Sequence, residues 1–440
     1  MRVLYDISNL GLGHLYSDSR GGGFRVDLHM VEQLAASPDC ELSFCANHSA
    51  VAFHGCQAFL RSHPLSRAVP LVAPERSIAP AIRSAASAAH RCVRRLVGGH
   101  VFPSALRQVA GIVDRSLHPP VSDGASRVDI LHSPTTALPP VSSRCAPQRL
   151  LTIYDLAVFR LPEIYGAAHR RSLGRIIGSL QPADHVITPS NFTRDELLAD
   201  GIATPDRIHV VPLAADATLF YRCDDARQIA KVRLKYGIPE GPYILGVNTP
   251  DLRKNVPHAI HAFARAARES RDGAPSFVLT GHSGVGSDRI QAAIAHYPEL
   301  RERFILTGYV ADADLAPLYT GARALVYPSI YEGFGLPPLE AMQCGAPAIT
   351  SNTSSLPEVV GDGGVLLAPD DLDGLAGAIL DLVGDSGRHA ALQQRALAQA
   401  RRFSWEKSAS TLLRAYNAAL CRESHAVNVA SSQSARRLSR

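Results

Sequence analysis

The amino-acid sequence predicts an α/β fold with two doubly wound parallel sheets, one after the other along the chain. The chain has 440 residues, which is too long for one ordinary core and suits two domains. Short apolar segments alternate with helical patterns of roughly ten to fifteen residues, as in sheets whose parallel strands are joined by helices. A charged stretch at 221–241 has no strand pattern, so we place the domain boundary there.

The first domain is predicted to cover residues 1–225 and to begin with the strand Arg2–Ile7. A glycine-rich loop containing Gly22 and Gly23 follows, and an amphipathic helix begins at Phe24. A strand, a glycine loop and a helix N-terminus together suit a phosphate group. The glycine spacing does not match a dinucleotide site, and a flexible surface turn is the alternative interpretation.

Two further strands predicted in this domain, Asp129–His132 and Leu150–Tyr154, are followed by polar residues. Ligands of parallel α/β sheets bind at the carboxyl ends of the strands. His132, Tyr154 and Asp155 are therefore candidates for the wall of a cleft. A purely structural histidine, with its hydrogen bonds satisfied in the core, is the alternative for His132.

The second domain is predicted to cover residues 226–403. Its strands are predicted from four apolar segments, namely Pro242–Val247, Pro275–Thr280, Arg303–Val310 and Ala324–Pro328. A last amphipathic helix is expected at 404–422. The serine-rich, basic stretch 423–440 is predicted to be a disordered tail.

The segment Pro328–Glu340 carries the strongest functional pattern. It places Glu332 and Glu340 eight residues apart around a glycine turn that opens a helix. Gly333 and Gly335 permit a tight bend and the close approach of a ligand, and the two prolines that follow suit a first helical turn. The helix N-terminus offers N–H donors to a diphosphate, while the two acids can hold sugar and ribose hydroxyls. An ordinary strand–turn–helix with two surface acids is the alternative.

Several stretches of the sequence resemble one known family. Pro328–Glu340 resembles the E-x7-E motif of the family 4 retaining glycosyltransferases, Gly246–Asn255 their R-K-N stretch and Asn352–Gly361 their S-L-P-E-V stretch. Ala183–Ser190 is similar to the interdomain side of the family, and the whole resemblance covers most of residues 125–420. It implies the GT-B fold, in which two Rossmann-like domains face each other across a cleft and the last helix crosses back to the first domain.

The resemblance implies two sets of site residues. The predicted catalytic residues are Glu332, Arg253, Lys254, His132 and Asp155. The predicted donor-binding residues are Gly22, Gly23, Asn248, Tyr309, Val310, Gly333, Phe334, Gly335, Leu336 and Glu340. Arg253 and Lys254 would neutralise the leaving diphosphate, and Glu332 would hold hydroxyls of the donor sugar. Glu340 would hold the ribose, and the backbone at 309–310 the edge of the base.

The resemblance also implies a reaction. A hexosyl group, mannose from GDP-mannose in particular, would move to a saccharide or lipid-linked acceptor with retention at the anomeric carbon, in the assembly of a bacterial surface glycan. No cofactor or metal is expected, because Arg253, Lys254 and a helix N-terminus supply the positive charge. The departing phosphate itself would accept the proton of the acceptor. A nucleotide-sugar epimerase and a non-catalytic nucleotide-sugar binding protein are the alternatives within the same fold.

One position departs from the pattern of the family. Many members have histidine where this chain has Tyr154, in a stretch similar to T-I-H-D-L. Tyrosine cannot replace the proton chemistry of an imidazole at neutral pH. Either Tyr154 keeps a hydrogen-bonding role only, or His132 supplies the imidazole.

Composition argues against several other classes of protein. The net charge of +5 is mild and no basic–aromatic surface is apparent, so nucleic acid is not an expected partner. The eight cysteines show no zinc-type spacing. No signal peptide or long apolar segment is apparent, so we expect a cytoplasmic protein. Residues 76–118 carry seven arginines and one acid, which suits either peripheral contact with the anionic inner membrane or a solvated helix face.

Overall fold

The computed structural model describes most of the chain. The described residues are 1–16, 22–47, 49–67, 69–72, 128–139, 148–247, 251–270, 274–281 and 286–438, with side chains as far as residue 421. The predicted basic stretch 76–118 lies outside them, so its role stays a prediction.

The first lobe is built on a six-stranded parallel sheet. In chain order its strands are β1 Arg2–Asp6, β2 Glu41–Cys45, β3 Ile130–Ser133, β4 Gln148–Thr152, β5 His185–Thr188 and β6 Ile208–Val210. They lie in the order β2-β1-β3-β4-β5-β6. The described helices of this lobe are α1 Ser8–Leu15, α2 Gly22–Ala36, α3 Ala50–Ser62, α4 Ala157–Arg160, α5 Ala167–Ile177 and α6 Asn191–Ala199.

The second lobe is built on another six-stranded parallel sheet. Its strands are β7 Tyr243–Val247, β8 Ser276–Thr280, β9 Phe304–Gly308, β10 Leu325–Tyr327, β11 Ala348–Ser351 and β12 Gly364–Leu367. They lie in the order β12-β11-β10-β7-β8-β9. The described helices are α7 Ala226–Lys235, α8 Val256–Glu269, α9 Ser287–Ala295, α10 Asp312–Thr320, α11 Leu336–Gln343, α12 Leu356–Val360, α13 Leu372–Gly384 and α14 Ser386–Ala400.

Helices cover both faces of the second sheet, and its central strand β7 is buried on both sides. In β7, Ile244 packs in a core with α8 and α13, whereas its neighbour Leu245 packs in another with α7 and α10. Successive side chains of a strand point to opposite faces, so this division marks a sheet buried on both sides. The structure thus confirms the predicted doubly wound α/β class.

The last helix, α15, runs Trp405–Leu438 and packs on the first lobe. Leu412 and Tyr416 share a core with Val26 and Met30 of α2. The helix extends past residue 422, where the sequence predicts its end, and the predicted disorder of the tail stays a prediction. Residues 423–438 contain neither proline nor glycine, so no strong helix breaker stops it.

Candidate active site

The two lobes enclose a cleft with a volume of about 690 Å³. The loops after β7 and β10 reach it together, because these strands are neighbours in the second sheet. The carboxyl ends of parallel strands meet at one edge of a sheet, which brings segments far apart in sequence to the same wall. Both lobes line the cleft, with Gly22, Gly23, Arg25, His29, Tyr154, Asp155, Asp251, Arg253, Lys254, Glu332, Gly333, Phe334, Gly335, Leu336 and Glu340 among the lining residues.

Glu332 is the centre of a buried charged cluster. Its Oε1 accepts hydrogen bonds from Lys254 Nζ at 2.6 Å, Tyr327 Oη at 2.8 Å and Ser329 Oγ at 2.7 Å. Its Oε2 lies 3.7 Å from Arg253 Nη1, which is beyond hydrogen-bond distance. Among the described residues no group bonds Oε2, so this oxygen remains able to accept a ligand hydroxyl.

Burial and opposite charges act against each other on the pKa values of this cluster. Burial raises the pKa of a carboxyl group, but Lys254 and Arg253 outweigh it and hold the pKa of Glu332 below its usual value. Burial lowers the pKa of Lys254, and the charge of Glu332 opposes that change. Burial would likewise lower the pKa of Arg253, but the carboxylates of Glu332, Asp155 and Asp251 raise it. The cleft therefore presents fixed charges of both signs.

Arg253 and Lys254 lie in a short 3₁₀ turn, Leu252–Lys254, between β7 and α8. Asp251 caps the turn by accepting the backbone N–H of Arg253 at 3.1 Å. Asn255 then has a φ of 55°, a left-handed conformation that asparagine tolerates better than most residues. This bend starts α8 at once and holds both cations at the cleft.

The glycine turn after Glu332 lies tightly against the first lobe. A β-carbon on Gly333 would be 2.2 Å from the carbonyl oxygen of Tyr154, so only glycine fits there. Gly335 has a φ of 114° and precedes α11, whose N-terminus lacks a side-chain cap. In the described part of the chain, the N–H groups at 333–336 have no hydrogen-bond partner. They form a set of donors at the cleft, as an anion would require.

Glu340 lines the cleft from the first turns of α11. No group in the part of the chain that the structure describes donates a hydrogen bond to its carboxylate. Burial raises the pKa of Glu340 to about 7, while Arg25 and Lys254 lower it and Asp216 raises it further. An unpartnered acid of this kind suits a ligand that brings hydroxyl donors.

His132 lies outside the lining of the cleft. It is buried in the first lobe, where Nδ1 bonds Tyr416 Oη at 2.7 Å and Nε2 bonds Thr152 Oγ1 at 2.8 Å. Burial lowers the pKa of His132 to about 3, so its ring is neutral. The imidazole does not line the cleft, and both the catalytic role and the structural role that the sequence leaves open for His132 stay predictions.

The remaining predicted residues differ in their placement. Gly22, Gly23 and Asp155 line the cleft with the glutamates and cations. Tyr309 is exposed and Val310 is buried, and neither lines the cleft. Asn248 lies outside the described residues, and the roles assigned to all these residues stay predictions.

Tyr154, which stands where many members have histidine, directs its hydroxyl to a buried acid of its own lobe. Its hydroxyl donates to Asp27 Oδ1 at 3.3 Å, and Asn9 Nδ2 donates to the other oxygen at 2.8 Å. Burial raises the pKa of Asp27 to about 7, although both hydrogen bonds lower it. The ring of Tyr154 lines the cleft, while its hydroxyl serves this buried acid.

Sequence reasoning missed several residues at the cleft. His29 Nε2 lies 3.0 Å from Asp216 Oδ2, and its ring stacks on Trp405 at 5.1 Å between centroids. Burial lowers the pKa of His29, but Asp216 and Glu32 outweigh it and raise the pKa to about 9. The spacing of Arg25 and His29, four residues apart on one helix face, was an available signal. The contact between His29 and Asp216 joins residues far apart in the chain, and no sequence pattern signals it.

The described residues contain neither a group of side chains that could hold a metal ion nor a helix that could span a membrane. Within the described residues, no group of three or more histidine, cysteine or acidic side chains is placed to hold a metal ion. In the same part of the chain, no helix combines the length and apolarity needed to cross a bilayer.

Comparison with known proteins gives a consistent result. The family model "Glycosyl transferases group 1" matches residues 228–403. The O-antigen chain mannosyltransferase B of Escherichia coli is 35% identical over 289 residues, which are 65% of this chain and 74% of that protein. The serotype-specific mannosyltransferase WbdA of Escherichia coli is 30% identical over 233 residues, or 53% of this chain but 28% of that longer protein.

A solved structure supports the same fold. Sucrose-phosphate synthase from Thermosynechococcus elongatus superposes with a TM-score of 0.66 at 19% identity, covering 95% of this chain and 98% of that one. At this identity the likeness concerns the fold alone. Together with the family match and the 35% identical relative, it shows that the chain belongs to the group 1 glycosyl transferases and is a mannosyltransferase-like glycosyltransferase with the GT-B fold.

Proposed function

We propose that this enzyme transfers mannose from GDP-mannose, with retention, to a saccharide or lipid-linked acceptor during the assembly of a bacterial surface glycan. The observation that carries the proposal is that the cluster of Glu332, Arg253 and Lys254 lines the same cleft as the N–H groups at 333–336, which have no partner among the described residues. The sugar and the acceptor are taken from relatives whose names state O-antigen mannosyl transfer.

The diphosphate of the donor lies against the N–H groups at 333–336 and the cations Arg253 and Lys254. Both supports are fixed before the reaction, so they stabilise the charge that develops on the leaving nucleotide without reorganising. No metal or cofactor is required in this proposal, because the cations and the helix N-terminus supply the positive charge. The departing phosphate accepts the proton of the acceptor hydroxyl.

The two glutamates hold the donor on either side of the diphosphate. Glu332 Oε2 accepts a hydroxyl of the sugar, since its Oε1 is already bonded to three donors. Glu340 accepts the ribose hydroxyls, because its carboxylate has no partner among the described residues and lines the same cleft. Each ligand hydroxyl supplies a hydrogen-bond donor that the carboxylate oxygen otherwise lacks among the described residues.

The acceptor enters from the side of the first lobe, where Gly22, Gly23 and Tyr154 line the cleft. Approach of the lobes then excludes water and aligns the acceptor with the anomeric carbon. We place the enzyme in the cytoplasm, in peripheral contact with the inner membrane through residues 76–118. This location supplies both a nucleotide-sugar and a lipid-linked acceptor.

A donor panel tests the proposal. Purified protein is incubated with GDP-, UDP- and TDP-linked hexoses and a mannose-containing acceptor, and the product is analysed by NMR for its anomeric configuration. The expected result is an α-mannoside from GDP-α-mannose. Release of an epimerised sugar, an inverted product or no turnover with any donor would contradict the proposal.

The variant Glu332→Gln tests the site within that proposal. We expect a loss of about 10²-fold or more in kcat/KM, because the sugar loses a charged acceptor. Glu299→Gln is the matched control, since Glu299 lies on the surface and, within the described residues, its ion pair is with Arg268. Circular dichroism checks the fold, because breaking a buried ion pair costs about 3–5 kcal/mol. Transfer by Glu332→Gln at the parental rate would refute the role of this residue.

A further inference from the structure

A short series of hydrogen bonds joins the two lobes at Arg253. Tyr165 of the first lobe donates its hydroxyl to the carboxylate of Asp251, at 2.9 Å from Oδ2 and 3.1 Å from Oδ1. Asp251 belongs to the second lobe and accepts Arg253 Nε at 2.7 Å and the backbone N–H of Arg253 at 3.1 Å. A hydroxyl, a carboxylate and a guanidinium are thus linked in sequence across the cleft.

The protonation of each member fits this order. Burial raises the pKa of Tyr165, Arg253 lowers it and the carboxylate of Asp251 raises it, with a net increase. Tyr165 therefore keeps its proton and acts as a donor. The carboxylate can then act only as an acceptor, both for the tyrosine and for the arginine.

Asp251 fixes the orientation of the guanidinium. It holds Nε, while Nη1 faces Asp155 Oδ2 at 3.3 Å and the carbonyl oxygen of Tyr331 at 3.4 Å. Nη2 has no hydrogen-bond partner among the described residues. Because the guanidinium is planar, holding Nε and Nη1 also sets the direction of Nη2. This nitrogen remains for an oxygen of the donor diphosphate.

We propose that Tyr165 and Asp251 are positioning residues for glycosyl transfer, which orient Arg253 towards the leaving diphosphate when the lobes approach. The inference deepens the proposed function and rests on it for the identity of the leaving group. Tyr165 lies between α4 and α5, so its distance from Asp251 depends on how the lobes are placed. In this proposal the approach of the lobes is coupled to the orientation of the cation.

A purely structural bond between lobes would make a different prediction. It would affect stability or donor KM, but not the stabilisation of charge that develops in the transition state. A positioning role concerns the charged leaving group. Loss of a positioning residue should therefore lower kcat and weaken the binding of the free nucleoside diphosphate more than it raises donor KM. The free nucleoside diphosphate carries the full charge of the departed group.

The test compares Tyr165→Phe, Asp251→Asn and the double variant with the parent enzyme. The measurements are kcat, donor KM, and the affinity for whichever of GDP, UDP and TDP the parent binds most tightly, by calorimetry. Tyr236→Phe is the matched control, because Tyr236 also donates to an aspartate, Asp314 at 2.8 Å, but within the second lobe. Thermal unfolding shows that each variant is folded.

We expect Tyr165→Phe to lower kcat and diphosphate affinity about tenfold, with donor KM changed less than about threefold. Asp251→Asn should lower kcat and diphosphate affinity about a hundredfold. The double variant should lower them no further than Asp251→Asn alone, since Tyr165 and Asp251 both act through Arg253. Losses that multiply in the double variant, or parental kcat and affinity in Tyr165→Phe, would overturn the inference. Because diphosphate affinity does not require transfer, failure of the proposed function would appear separately, as a parent that binds but does not turn over.

Discussion

Replacing Gly333 by alanine tests the close contact of the lobes at the reaction centre. The added β-carbon would lie 2.2 Å from the carbonyl oxygen of Tyr154 and 2.7 Å from the Asp155 β-carbon. Both atoms belong to the chain just after β4, and the carbonyl is backbone, so neither moves aside as a flexible side chain would. Ordinary carbon–oxygen contact requires about 1 Å more separation than this.

The size of the effect follows from this displacement. The lobes, or the loop at 333–336, must shift by about 1 Å to accept the methyl group. A misplacement of that size between reacting groups costs about 10²-fold in rate. We therefore expect Gly333→Ala to lower kcat by about 10²-fold, with a smaller change in the melting temperature because the site lies at a cleft rather than in a core.

Steady-state kinetics with saturating donor and acceptor measure this loss directly. Gly377→Ala is the matched control: Gly377 lies within α13, and beyond the nearby backbone of its own helix no described atom is within 4 Å of the position of its β-carbon. Alanine there should leave kcat unchanged and stabilise the helix by up to about 1 kcal/mol. Parental kcat in Gly333→Ala would refute the close approach of the lobes.

Three further predictions concern charges. Glu340→Gln should weaken donor binding about tenfold in calorimetry, because the ribose loses a charged acceptor. The pKa of Glu340 is raised to about 7 in the folded protein, so the parent loses stability as pH rises from about 4.5 to 7. Glutamine does not ionise, so the melting temperature of Glu340→Gln should exceed that of the parent by more at pH 8 than at pH 5. Glu358→Gln should lower the free energy of unfolding by about 1 kcal/mol in urea titrations, because Glu358 accepts the N–H groups of Asn191 and Phe192 at the start of α6. Equal stability of Glu340→Gln and the parent at both pH values would contradict the raised pKa of Glu340. Parental stability of Glu358→Gln would contradict the role of Glu358 at the start of α6.

The parts of the site that the sequence predicted are those set by local geometry or by sheet order. Glu332 and Glu340 line one cleft because a strand, a glycine turn and a helix lie consecutively between them. Arg253 and Lys254 join them because β7 and β10 are neighbouring parallel strands, and the loops after such strands meet at one edge. Motifs of this kind are visible in a single sequence.

The parts that the sequence did not predict depend on long-range packing. His132, which does not line the cleft, bonds Tyr416, which lies 284 positions away in α15. Tyr165 meets Asp251 across 86 positions. No periodicity or spacing records such pairs, because they arise only when two lobes and a returning helix are assembled.

A structure of the enzyme with bound GDP-mannose would show directly whether the charged cluster in the cleft holds the donor. We expect the pyrophosphate within hydrogen-bond distance of Arg253 and the N–H groups at 333–336, with a sugar hydroxyl on Glu332 Oε2. A pyrophosphate bound away from this cleft, or a sugar that leaves Glu332 without a ligand contact, would contradict it.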